Sequence, residues 1–456
     1  MKILLKGGSV VSGDGVNECD VLIEDEKIIK TGKNLADSGA QVTYVTGKLL
    51  FPGFIDAHTH FDLEVAGTVT ADDFVTGSRA AILGGTTTII DFATQYHGES
   101  LNTAFANWLK KSQGKSSCDY GFHMAISDWN ENTAREVEDM IDLGVTSFKL
   151  YMTYDDMMVA DKQIYQILKR LKEVGGIAGV HCENSGIIKA LVEEKQKLGE
   201  NSTALHSATR PCQVEAEAMN RLLRIAELAD SPIIIVHLTS KVGYEEALAA
   251  RERGQKVYLE TCPQYLLLDQ SLYELPLPDC LKYVIAPPLR KAEDRACLWT
   301  ALSEDKIQTL STDHCSFSLE QKLVGKNDFT KIPGGMPGVE DRGVLLYTYG
   351  VKENKITLPQ MCRLLSENPA KLYGAYPRKG LIAPGADADI VVFDPEAKGV
   401  ISAKTQAYNM DYAPYEGYRT AGRVSDVYLR GQKVVDGHNI VLEKAGAFLK
   451  RDRYGL

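Results

Sequence analysis

Pro52-Gly53-Phe54-Ile55-Asp56-Ala57-His58-Thr59-His60-Phe61-Asp62 is the stretch that decides how this chain folds. Its apolar start reads as a short buried strand. Residues two apart on a strand project from the same face, so His58 and His60 offer two ring nitrogens to one point. Such a pair is a weak sign by itself, because imidazole has many uses besides holding metals. Four further residues, Lys149, His181, His237 and Asp313, each follow an apolar, β-rich run of their own. Parallel α/β barrels carry their active sites at the C-terminal ends of the strands, so donors repeated at that position read as chemistry and not as packing.

Around these runs the chain alternates strand-like and helix-like segments from about 52 to 380, the pattern of βα units. Strands are expected at 54–57, 86–91, 120–126, 146–151, 177–181, 232–237, 256–261 and 307–313, a number that suits a TIM-like (β/α)8 barrel. Between them, 161–174 reads as an amphipathic helix stopped by Gly175-Gly176, and another helix is expected to open on a capping box at Thr133 and Glu136 and to end at Gly144. Residues 1–51 read as short antiparallel strands, a texture that returns at 388–393 and 426–435. The two ends, 1–51 and 381–444, are therefore expected to pair as a second, smaller β-sandwich domain into which the barrel (52–380) is inserted. The tail, 445–456, ends in mixed charge and is expected either to fray or to dock on a neighbouring subunit.

Composition narrows the class. With 44% hydrophobic and 25% charged residues the chain is an ordinary soluble globular protein. A net charge of −10 argues against a nucleic-acid binder, which would carry a basic patch. The nine cysteines form an odd set without a Cys-x-x-Cys pair, so neither a disulfide framework nor a thiolate zinc site is expected. No signal-peptide pattern opens the chain and no run reaches the length of a membrane span. The expectation is a cytoplasmic protein with no membrane partner.

Period-two alternation in Ser147-Phe148-Lys149-Leu150-Tyr151-Met152 sends Phe148 and Leu150 one way and Lys149 the other, into the barrel. A buried ammonium needs an acidic partner, for which Asp313 and Asp91 are candidates, or a chemical change. Carboxylation by CO2 would turn it into an oxygen donor able to bridge two ions. Asp313 could equally cap a turn.

The set His58, His60, Lys149, His181, His237 and Asp313, in that order, resembles the amidohydrolase superfamily. Neighbouring motifs resemble more narrowly its dihydropyrimidinase and hydantoinase family, of the D-hydantoinase and phenylhydantoinase type: Gly84-Gly85-Thr86-Thr87-Thr88, Ser147 to Tyr154, Glu260-Thr261-Cys262-Pro263-Gln264-Tyr265, Pro287-Pro288-Leu289-Arg290, Thr312-Asp313-His314-Cys315 and Pro337-Gly338-Val339-Glu340. The resemblance spans nearly the whole chain. It implies two divalent metal ions per subunit, zinc being favoured, one held by His58, His60 and Asp313 and the other by His181 and His237. Lys149, as N6-carboxylysine, and a hydroxide would lie between them. It further implies that this metal-bridging hydroxide opens a hydantoin or dihydropyrimidine ring to an N-carbamoyl amino acid. Asp313 would carry the proton to the leaving nitrogen, Tyr154 would donate to the oxyanion, and the chain would form a homotetramer.

Where family members often have Ser before Pro-Pro-Leu-Arg and Asn after Ile-Pro, this chain has Ala286 and Gly334. The resemblance suggests that these positions meet the substrate through their backbones. Leu63, Tyr151, Met157 and Met158 are candidates for the pocket around the exocyclic group. Dihydroorotases normally place Arg two residues beyond the second His, where this chain has Asp62, an acid that would repel the substrate carboxylate. Allantoinase stays open as an alternative. A scaffold relative without metals, resembling the collapsin-response mediator proteins, would have lost ligands that this chain keeps.

Overall fold

The computed structural model describes residues 1–455. Phe54–Thr59 (β1), Thr86–Thr94 (β2), Asp119–Ala125 (β3), Ser147–Tyr151 (β4), Ile177–His181 (β5), Ile233–Ile235 (β6), Val257–Thr261 (β7) and Thr309–Leu310 (β8) lie side by side in chain order. Every ladder between them is parallel. Runs such as Thr86–Thr94 are buried along their whole length, as a parallel sheet wrapped by helices requires. Along β4 the alternation holds: Phe148 and Leu150 enter the apolar core, while Lys149 lies in register with Ala125 and Gly179 of the flanking strands.

The helix Asp161–Val174 ends at Gly175, whose φ of 76° is the left-handed cap that glycine adopts without penalty. The other expected helix is corrected at its start. It spans Glu131–Asp142, and the Asn130 side chain accepts the amides of Asn132 and Thr133. Asn130 stands one turn before the proposed box and is among the best capping residues, so it takes the position. Thr133 is buried in the first turn, and Glu136 instead accepts the amide of Leu101, 2.7 Å away, at the start of the neighbouring helix Leu101–Ser112.

Between β8 and β1 the barrel is closed largely by side chains. His60 donates its amide to the His314 carbonyl at 2.8 Å beside a single bridge between Thr59 and His314. The Asp56 carboxylate accepts the amide and hydroxyl of Thr312 at 3.1 and 2.7 Å. Arg342, only 1% exposed, donates to the carbonyls of Ile55 (2.7 Å) and Leu310 (2.8 Å) and to the Thr86 hydroxyl (3.1 Å). Its guanidinium thus supplies donors to β1 and β8 where ladder bonds would otherwise do so.

The chain ends meet in a nine-stranded sheet. Leu49–Pro52 runs antiparallel to Ile390–Val400, pairing Leu49 with Phe393 and Pro52 with Ile390. Most of the sheet is antiparallel, as expected. A bulge between Leu5 and Gly8 divides the first strand, and its two parts pair in parallel with Gln41–Tyr44 and with Leu49–Leu50. Gly53 makes the step from this sheet into β1. A Cβ there would lie 2.0 Å from the Thr87 hydroxyl and 2.9 Å from Asp389 Cβ, so no larger residue fits. Across the same junction Lys379, 2% exposed, contacts Asp119 (2.7 Å), Asp387 (3.0 Å) and Asp389 (2.6 Å), joining the start of β3 to the sheet.

The tail is not frayed over residues 445–455; Leu456 lies outside the described residues. It packs on its own barrel. Tyr120 donates its amide to Ala447, and Leu449 donates to Tyr120, at 3.0 and 2.7 Å. Arg451, 3% exposed, enters the N-terminal end of the barrel and donates to Ser147 Oγ (2.9 Å) and to the carbonyls of Phe122 and Tyr373. No helix is long and apolar enough to cross a membrane among the described residues.

Replacing the seam residue tests its part in closure. Arg342→Met should leave Asp56 without its buried cation and two carbonyls without a donor, destabilising the fold by about 3 kcal/mol in urea titration. Lys172→Ala, at a pair exposed to 47% and 88%, should leave the urea midpoint unchanged.

Candidate metal centre

The donors predicted from separate strand ends converge. The rings of His58 and His60 lie 5.2 Å apart between centroids, His58 and His237 5.5 Å, and His181 and His237 4.5 Å. Asp313 Oδ1 sits 3.1 Å from Nε2 of both His58 and His60, and among the described residues these three alone bring ligand atoms close enough for one ion. Lys149 reaches the same space, its Nζ 5.0 Å from the rings of Phe92 and of Tyr151. Phe92, at the end of β2, also packs on His58 and His60 at 4.6 and 4.8 Å, making a floor beneath the cluster. His58, Lys149, His181 and His237 are at most 3% exposed.

Neither acid proposed as an ion-pair partner for Lys149 serves it. Among the described residues no carboxylate oxygen lies within 4.0 Å of its Nζ. Asp91 accepts from the Thr59 hydroxyl, the amides of Phe61 and Phe92 and the Trp108 indole, and Asp313 faces the histidines. Burial pulls the Lys149 ammonium down to about 8.

Two buried glutamates that no motif singled out as partners orient the rings. His58 Nδ1 donates to Glu260 Oε1 at 2.7 Å, and His181 Nε2 donates to Glu183 Oε2 at 2.8 Å. Arg210 in turn binds Glu183 Oε2 at 2.5 Å. Each bond selects a tautomer and commits one nitrogen, leaving the other for the centre. The available sign was an acid at or just past the end of each strand: Glu260 within β7 and Glu183 two residues past His181.

His58 Nε2 tests whether a metal fits. It is buried, and despite its 3.1 Å approach to Asp313 it lies off hydrogen-bond geometry, leaving it without such a partner among the described residues. A ring nitrogen held this way next to a carboxylate and a second imidazole is a ligand set. Burial pushes His60 down to about 4 and takes His181 and His237 below the usual imidazole range, so these rings are neutral, the form that binds metal. For His58 burial works the same way, but Asp313 and Glu260 outweigh it and hold the ring up to about 9, so Nε2 of this ring gives up its proton when a metal binds. Burial opposes the charge of Asp313 too, yet His58 and His60 hold it well below the usual carboxylate range.

Three site residues adopt backbone conformations usually left to glycine: φ is 39° at His237, 52° at Asp313 and 69° at Tyr154. Such strain gathers where side chains must be aimed away from a regular strand or turn. Tyr154 stands at the rim, 37% exposed, its ring 5.3 Å from His181 and 5.8 Å from the Arg210 guanidinium. Its carbonyl accepts the amides of Met157 and Met158 in a turn that sets Met158 across from Tyr151. Tyr151 and Met157 are half-buried and Met158 is exposed, whereas Leu63 packs on the main core. Ala286 and Gly334 are neighbours: a Cβ on Gly334 would lie 3.8 Å from that of Ala286. Two surface grooves, of about 570 Å³ beside Trp129 and Tyr165 and about 780 Å³ beside Trp299 and Tyr418, share no residue with this cluster.

The amidohydrolase family model matches residues 49–434. The chain is 44% identical to a D-hydantoinase of Geobacillus stearothermophilus, over 100% of this chain and 98% of that protein. It is 42% identical to a D-hydantoinase of Streptomyces coelicolor, over 99% and 98%. Among solved structures, a dihydropyrimidinase from Brevibacillus agri matches it with a TM-score of 0.99 at 41% identity over the full length of both chains. Matching sequence, barrel and strand-end donors agree, and the chain belongs to the amidohydrolase family.

Proposed function

We propose that this protein is a metal-dependent cyclic amidohydrolase that opens hydantoin or dihydropyrimidine rings to N-carbamoyl amino acids. The observation that carries the reading is the convergence of His58, His60, Lys149, His181, His237 and Asp313 at one barrel mouth, with His58 Nε2 buried, beside Asp313 and without a hydrogen-bond partner among the described residues. The names of the full-length relatives support the substrate class. His58, His60 and Asp313 would hold one ion and His181 and His237 a second. Zinc suits these nitrogen and oxygen donors. When bound, the two ions would acidify a water molecule and polarise the ring carbonyl that it attacks.

Lys149 would link the two sets as N6-carboxylysine. At a pKa of about 8 a useful fraction of its side chain is neutral amine near neutral pH. That amine can form an N–C bond to CO2 and release a proton, exchanging an unpaired buried cation for an anionic oxygen donor. Asp313 Oδ1 would accept the proton of the attacking water and pass it to the departing ring nitrogen. The Tyr154 hydroxyl would donate to the oxygen that gains charge. Ala286 and Gly334 carry no polar side-chain atom, so their backbone groups would hold the imide. Tyr151, Met157 and Met158 would line the exocyclic side, with Leu63 beneath. Nine free thiols support residence in a reducing cytoplasm, and the family resemblance supports a homotetramer.

A side-by-side assay tests the substrate class: 5-substituted hydantoins and dihydrouracil should yield N-carbamoyl amino acids, and allantoin should not react. Turnover of allantoin alone would overturn it. Lys149→Ala should lose both metal and activity, with short-chain carboxylic acids restoring part of each; unchanged turnover in that variant removes Lys149 from the centre. Glu260→Gln keeps the shape but removes the charge behind His58, and should weaken metal binding about 10- to 100-fold in chelator competition.

A further inference from the structure

Lys322 is fully buried, and no carboxylate pairs with it among the described residues. It lies in the short helix Leu319–Leu323, its Nζ 5.9 Å from the Phe317 ring. Burying an ammonium without a counter-charge is unfavourable unless its donors are well placed. Here they are: Nζ donates to the carbonyl of Val284 at 2.9 Å and to that of Pro333 at 3.0 Å. These carbonyls belong to two segments far apart in the chain, one two residues before Ala286, the other adjacent to Gly334. The Gly335 amide also donates to Val284, at 3.0 Å, so the two segments are tied twice at one point.

Other buried donors fix what surrounds this tie. His206 donates to the Ile285 carbonyl at 2.6 Å, and the Tyr265 hydroxyl donates to the Pro287 carbonyl at 2.8 Å. Further along, His314 Nδ1 accepts the amides of Gly338 and Val339 at 3.1 and 3.2 Å, pinning that segment to the residue after Asp313. Val284, Ile285 and Pro287 thus each have their carbonyl held. Among the described residues the amide and carbonyl of Ala286 and the amide of Gly334 are engaged by no protein group. A glycine and an alanine bring no polar side chain, so recognition there falls to backbone groups whose spacing must be imposed from outside.

We propose that Lys322 is a positioning residue for substrate recognition, clamping segment 284–287 to segment 333–335 so that the backbone groups of Ala286 and Gly334 keep the spacing an imide needs. The inference rests on the reading that these backbones meet the ring. Lys322 touches neither the metal ligands nor the substrate, so its loss moves ring binding rather than chemistry.

The test compares the metal-loaded wild type with Lys322→Met, Lys322→Gln and Lys322→Arg. It uses hydantoin and dihydrouracil, with metal content and thermal midpoint measured on each preparation. Removing the clamp should raise KM about tenfold while kcat stays within about threefold and metal content is unchanged; Lys322→Arg, which keeps donors for both carbonyls, should recover part of the loss. A folded, metal-loaded Met or Gln variant with wild-type KM overturns the proposal. So does a loss that merely follows the folded fraction, or failure of both variants to fold, since either makes Lys322 structural. A wild type that opens neither ring sinks the underlying reading and the clamp with it. Normal wild-type turnover with indifferent variants sinks the clamp alone.

Discussion

The Asp56 and Arg342 side chains close the barrel, and the metal-binding geometry depends on that closure. His58 and His60 belong to the first strand, and Asp313 follows the last, so their 3.1 Å approaches exist only if the two strands are held together. Among the described residues, backbone pairing there is reduced to one bridge and one neighbouring hydrogen bond. A guanidinium suits the task because its donors form a rigid fork that can serve two carbonyls and a hydroxyl at once. Asp56, whose carboxylate lies 3.7 Å from the Arg342 guanidinium, also accepts from Thr312 and from the His58 amide. The closure at Asp56 therefore lies two residues below His58 on the first strand, directly beneath the ligands.

Above the seam, burial does two things to the donors. It keeps His60, His181 and His237 neutral, and it makes any unpaired polar atom unfavourable, so each ring is fixed by what its second nitrogen finds. Glu260 and Glu183 supply those partners from the interior, and Arg210 offsets the charge of Glu183. Positive φ at His237, Asp313 and Tyr154 shows the backbone carrying part of the same task at loop positions just beyond strands. The opposite end of the barrel is filled by Arg451 and serves stability, a division common to barrels of this kind.

Local patterns made much of this legible. Apolar runs of strand length that end in a donor recur because each strand is wrapped by helices and opens at one end; alternation around Phe148 and Leu150 was enough to point Lys149 inward. The order of donors and the flanking motifs carried the family. What the residues could not reveal depends on long separations: His58 and Glu260 are 202 positions apart, Arg342 and Ile55 287. Nothing near either partner names the other. The start expected at Thr133 differs for another reason, since Asn130, a stronger cap one turn earlier, accepts the amides of Asn132 and Thr133 and opens the helix there. The tail reads as polar and charged, yet its arginine finds carbonyls inside the barrel, which composition does not reveal.

That inserted arginine bears on how the molecule comes to be assembled on the ribosome. The floor of the barrel waits for residue 451, and the strand that leads into it, Leu49–Pro52, waits for Ile390. Neither unit can be finished before those residues have been made, so the early βα segments wait with apolar strand edges open for partners far along the chain. Completion of the sheet and of the barrel floor is thereby tied to segments made long after the strands they join.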